Sequence, residues 1–87
     1  MKMIILILKD HLTDALTTAL TTAQYRVTRI ASTGGFLRSG LVTMLVGVED
    51  AQVEPAISLI RSTVALTPDA QPQLRLFVVP VSRYEQV

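Results

Sequence analysis

The side chains best suited to chemistry gather in one short stretch, Thr33-Gly34-Gly35-Phe36-Leu37-Arg38-Ser39-Gly40, and just before it. Two adjacent glycines permit positive φ and leave backbone amides uncovered by side chains. With hydroxyls, an arginine and a phenylalanine alongside, this loop has the parts needed to hold a phosphate and a ring. Taken alone, such a loop is more commonly a plain hairpin connection than a ligand site. It lacks the Gly-Lys-Ser/Thr ending of a P-loop and does not lead into a helix. It also does not match the strand, GxGxxG and helix fingerprint of dinucleotide sites. Upstream, Arg26, Thr28 and Arg29 offer charge and hydroxyl, or simply a wet strand face. Phe36 is a hydrophobic ring on a glycine-rich loop and needs a cover. Subunit packing would supply one as well as a nucleobase would.

Catalytic constellations are scarce, and no enzyme is expected. His11 is the single histidine, so no multi-histidine metal site can form within one chain. Asp10, Asp14, Glu49, Asp50 and Glu54 fall at expected helix starts, where capping and the helix dipole account for them. Ser32, Ser39 and Ser58 have no evident base partner. The absence of cysteine excludes disulfides and thiolate metal sites.

The elements that must position this loop follow from hydrophobic periodicity. Lys2 to Lys9 is a run of β-formers apolar on both faces, which predicts a strand covered on both sides. Asp10 is the expected N-cap of a helix over about 10 to 23. In it Leu12, Ala15, Leu16, Ala19, Leu20 and Ala23 form one apolar stripe, with threonines opposite. Alternating residues from about 25 to 33 predict a second strand, and 41 to 49 a third. Val53, Ile57, Ile60 and Val64 line a second helix, whose start falls between Gln52 and Glu54 so that Pro55 sits in its first turn. A proline-bearing connection, about 67 to 72, leads to a last strand over 74 to 81, with Pro80 near its end. The order is β-α-β-β-α-β. It predicts an α+β, ferredoxin-like sandwich, a four-stranded antiparallel sheet with both helices on one face.

Composition bounds the rest. The 87 residues allow a single domain, 1 to 87. Hydrophobic residues make up 49% of the chain and the mean hydropathy is +0.44. Those values are high for a soluble monomer in which only roughly 60–65% of the unfolded surface can be buried. Another copy of the chain is therefore expected to cover part of it. Residues 3 to 8 are too few for a membrane span and lack a secretory cleavage pattern. The net charge of +1 gives no basic footprint for DNA or RNA. A cytoplasmic, self-associating domain is expected.

The segment from Thr28 through Gly40, continued by Val46-Gly47-Val48-Glu49-Asp50, resembles the bacterial PII-like cyclic di-AMP receptor family. The opening Met1-Lys2-Met3-Ile4-Ile5, Asp10, and Phe77-Val78-Val79-Pro80-Val81 fit the same pattern. The resemblance implies a PII-like fold, a homotrimer, and one cyclic dinucleotide at each subunit interface. It also implies a role in signal transduction toward a downstream protein. By matching position it places ligand contacts on Arg26 and Thr28, on Gly35, Phe36 and Leu37 around an adenine, on Gly47, where space is left for the purine, and on Phe77 and Gln86. The sequence departs from the family's pattern at Gln24 and Leu41, where asparagine is common, and in the short connection before the last strand. The alternative is a trimeric protein-interaction scaffold that binds no ligand.

Overall fold

The computed structural model describes residues 1–30, 40–66, 74–83 and 85. Strand β1 (Lys2–Lys9) runs through a 3-10 turn (Asp10–Leu12) into helix α1 (Thr13–Thr22). Strands β2 (Arg26–Ile30) and β3 (Leu41–Val48) follow. A second 3-10 turn (Asp50–Gln52) then leads into helix α2 (Val53–Ala65), and the chain returns in β4 (Leu74–Pro80). The sheet order is β2-β3-β1-β4, with every pair antiparallel. This is the ferredoxin-like α+β architecture that the element order predicts.

One side of the sheet carries the core. Ile4, Leu6 and Leu8 of β1 and Met44, Val46 and Val48 of β3 are buried against Leu12, Leu16 and Leu20 and against Ala56 and Ile60. These positions alternate along each strand because successive side chains point to opposite faces. The intervening residues of β1 (Met3, Ile5 and Ile7) are only half-buried. Among the described residues the chain therefore fully covers one of the two apolar faces of β1, and the second face is only partly covered.

Several boundaries differ from expectation for local reasons. Asp10 does not cap the first helix; it opens the 3-10 turn behind Lys9, and no side chain caps that turn. Instead the buried Thr13 hydroxyl donates to the Asp10 carbonyl at 2.6 Å, tying the turn to α1. The apolar stripe of α1 is also rotated from the one expected. Ala15 and Ala23 are exposed, while Thr13 is buried and Thr17 half-buried among the leucines. Leucine spacing sets the stripe, and alanine contributes too little area to hold its edge. Strand β2 is described as Arg26–Ile30 rather than from residue 25, β3 ends at Val48, and β4 ends on Pro80. Pro55 does lie in the first turn of α2, which needs no amide hydrogen there.

Helix α1 ends in a paired backbone closure. The Gln24 amide donates to the Thr21 carbonyl and the Tyr25 amide to the Leu20 carbonyl, both at 2.9 Å. This is a Schellman closure, which places Gln24 in the left-handed region at φ 70°. Glycine is the favoured residue there because a Cβ crowds the following carbonyl at a cost of about 1–2 kcal/mol. Gln24→Gly is expected to raise unfolding stability by about 1 kcal/mol, measured by urea denaturation at fixed protein concentration. An unchanged or lower midpoint would show that the glutamine side chain compensates for its backbone.

Candidate functional site

Strand register decides which candidate residues share a surface. Arg26 pairs with Gly47, Gly47 with Met3, and Met3 with Val79, so these four form one row across the sheet. The next row is Thr28, Leu45, Ile5 and Phe77, and the third is Ile30, Thr43, Ile7 and Arg75. Directly paired residues project to the same face. Their neighbours in sequence, Ile4, Leu6, Met44 and Val46, are those buried against the helices. Arg26, Thr28, Gly47 and Phe77 therefore all lie on the face opposite α1 and α2, which is helix-free among the described residues.

The same parity separates the two arginines of β2. Arg29 pairs with Met44 and lies on the helix side, where its guanidinium is 3.5 Å from both Asp10 and Asp14. It closes the start of the first helical segment, an exposed pairing worth at most about 1 kcal/mol. Arg26 makes no ion pair among the described residues, and its charge remains available on the open face.

Around Arg26 and Gly47 the surface is concave in two places. A cavity of about 140 Å³ is lined by Met3, Arg26, Thr28, Leu45, Gly47 and Val81, together with Met1 and Lys2. A more polar one of about 330 Å³ lies at the strand ends, with Gln24, Tyr25, Arg26, Gly47, Glu49 and Gln52 among its walls. Arg26 and Gly47 border both. Cationic and hydroxyl side chains beside an apolar floor can pair with a phosphate and cover the face of a ring.

Gly47 is informative because the fold has no evident need for it. It sits inside β3 without positive φ; among the described glycines only Gly40 has that, at φ 70°. A Cβ built on Gly47 would meet nothing closer than the Met1 Cε at 3.7 Å, an ordinary contact. Glycine in a strand interior costs roughly 0.5–1 kcal/mol relative to alanine. Neither a turn nor crowding accounts for that cost here, and its effect is to deepen the floor beside Arg26.

Phe77 stands apart. It is 50% exposed on edge strand β4. Three strand spacings separate β4 from β2, which amounts to about 14 Å. One copy of the chain therefore brings Arg26, Thr28 and Gly47 together but does not bring Phe77 to them. Gly35, Phe36, Leu37 and Gln86 lie outside the described residues. So does most of the glycine loop, although the Asp10 amide donates to the Gly40 carbonyl at 2.8 Å and fixes the loop's far end.

Sequence reasoning did not single out Leu45 or Met3 for this surface. Counting strand parity from Gly47 finds Leu45, but Met3 needs the β1–β3 register. Glu49 and Gln52 were likewise missed as cavity walls. Both serve the turn before α2, where the Glu49 amide donates to Gln52 Oε1 at 2.9 Å. Among the described residues no group of three metal-binding side chains converges. Nor, among the described residues, is any helix long and apolar enough to cross a membrane.

The ferredoxin-like sheet, with the described helices on one side, is consistent with a PII-like fold. A family model described as a cyclic-di-AMP receptor matches residues 1–71, most of the chain, and the chain belongs to that family. The matched span includes Arg26, Thr28, Gly35, Phe36, Leu37 and Gly47, and it ends before β4 and therefore before Phe77 and Gln86. Among solved structures, the chain is similar to a protein of unknown function from Pediococcus pentosaceus ATCC 25745. The two are 26% identical with a TM-score of 0.77, over 99% of this chain and 96% of that one.

Proposed function

We propose that this chain is a PII-like signalling protein that binds cyclic di-AMP, or a related adenine nucleotide, at the interfaces of a homotrimer and carries out no catalytic step. The family match supports the ligand class. The observation that carries the reading is the helix-free face, where Arg26, which makes no ion pair among the described residues, Thr28 and a glycine with no evident structural need surround one cavity. Arg26 would pair with a phosphate and Thr28 with the sugar-phosphate or a base edge. The floor over Gly47 would accept the purine. Phe77 would reach that purine from a neighbouring copy, since its own copy holds it three strands away. Gly35, Phe36, Leu37 and Gln86 complete the proposed contact set.

Isothermal titration against cyclic di-AMP, cyclic di-GMP, ATP and AMP tests this reading. Heat with an adenine nucleotide is the expected result, and silence with all four at high protein concentration would remove the binding claim. Arg26→Ala is expected to weaken binding by roughly 10- to 100-fold, the worth of a charge-assisted hydrogen bond. Its mass by light scattering should remain that of wild type. If the variant instead dissociates, Arg26 serves assembly rather than the ligand.

A protein-interaction scaffold is the second reading. The exposed Phe77 and Val79 on β4 favour it, since an apolar sheet face suits another polypeptide as well as a base. Affinity capture with and without cyclic di-AMP separates the two, because a scaffold's partners would not respond to nucleotide.

A further inference from the structure

Helices α1 and α2 do not cover the whole of their side of the sheet. On the helix side, Leu6 is buried while its cross-strand partner Leu76 is only half-buried. Ile4 is likewise buried beside Val78, which is 38% exposed. The helical layer therefore stops short of edge strand β4. A groove of about 520 Å³ opens between β4 and α2. Ile57, Ile60 and Val64 form its helical wall, and Leu74 and Leu76 its strand wall.

Among the described residues one charged side chain, Arg61, lines this groove. Arg61 lies one turn from both Ile57 and Ala65, so it belongs to the same helical stripe. It makes no ion pair among the described residues. The acid on its own helix, Glu54, is seven residues away in the first turn. A long side chain of this kind lays its methylenes along apolar walls and holds its guanidinium at the rim. The volume lies in the range of small-molecule sites, which are mostly apolar with a few polar groups that fix orientation.

We propose that the α2–β4 groove is a second binding site, for an amphipathic carboxylate. The apolar body lies between Ile57, Ile60 and Val64 on one side and Leu74 and Leu76 on the other. The carboxylate pairs with the Arg61 guanidinium, which matches its two oxygens geometrically. This site is on the opposite side of the sheet from Arg26, Thr28 and Gly47, so it stands independently of the nucleotide reading.

The test is an amide NMR titration of the full chain with decanoate, with decanol as the uncharged control and cyclic di-AMP as a separate arm. Decanoate is expected to shift the amides of Ile57, Ile60, Val64, Leu74 and Leu76, in the presence or absence of cyclic di-AMP. Octanoate should bind about tenfold more weakly, from the two methylenes lost. Arg61→Ala, at an exposed position, should weaken decanoate at least about tenfold and leave decanol unchanged. Ala65→Phe, also exposed, should fill the groove mouth and block both. Equal decanoate affinity in Arg61→Ala, equal binding of decanol and decanoate by wild type, or shifts confined to the helix-free face would each overturn the site. A failure of cyclic di-AMP to bind would count against the nucleotide reading alone.

Discussion

Gly47→Val is expected to abolish most nucleotide binding while leaving the fold intact or more stable. The two effects have separate causes. Valine is a strong strand former, and substitutions at strand positions span about 1 kcal/mol, so the isolated chain should gain up to that amount. The first added carbon meets only the end of the Met1 side chain at 3.7 Å, which a flexible thioether can accommodate. The two further methyls project into the cavity of about 140 Å³ beside Arg26 and Thr28. Forcing a purine against them should cost about 1–3 kcal/mol, or roughly 5- to 150-fold in Kd. Titration calorimetry and urea denaturation of the same preparation check both halves. Wild-type affinity in the variant would mean that no base lies over Gly47. A destabilised variant would mean instead that the glycine is structural.

Ile5→Asp is expected to have the larger effect on assembly. Ile5 lies at the centre of the helix-free face, paired with Leu45 on one side and Phe77 on the other. Within one copy it is half-buried, so a carboxylate there remains in contact with water and the monomer should still fold. If three copies bury this face, three carboxylates meet in an apolar interior, and an unpaired buried charge is far too costly to keep. Light scattering should therefore move from the mass of three chains to that of one, with far-ultraviolet circular dichroism unchanged. Cyclic di-AMP binding should fall with it, because in the proposed assembly Phe77 would reach Arg26 only from a neighbour. A monomeric variant that retained full affinity would place the whole site within one chain and refute the interface model.

Both expectations rest on a distinction between neighbouring residues that the sequence shows only in part. Alternation along residues 26 to 30 makes Arg26 and Thr28 share one side and Arg29 the other. It does not say which side faces the helices. Only the pairing of Arg29 with Met44, and the burial of Met44, assigns Arg29 to the helix layer and its acids. Gly47 could be read as leaving space for a purine by resemblance alone. That the fold has no other evident use for it required the surrounding atoms.

The order of elements, the ferredoxin-like class and most of the core were legible in the chain because they depend on local quantities. Hydrophobic period, proline's missing amide and the apolar run of β1 are properties of a few consecutive residues. Helix faces were less legible. The α1 stripe turned toward Thr13 and Thr17 because its orientation is fixed by what β2 and α2 present to it, and leucines dominate that fit. Asp10 lost its expected capping role to a 3-10 turn whose tie is the Thr13 hydroxyl. The candidate site was decided almost wholly by tertiary structure. Register between strands distant in sequence sets Arg26 beside Gly47, and it holds Phe77 three strands away from both. Spacing along a chain carries strand parity, but a row across a sheet exists only once the strands have paired.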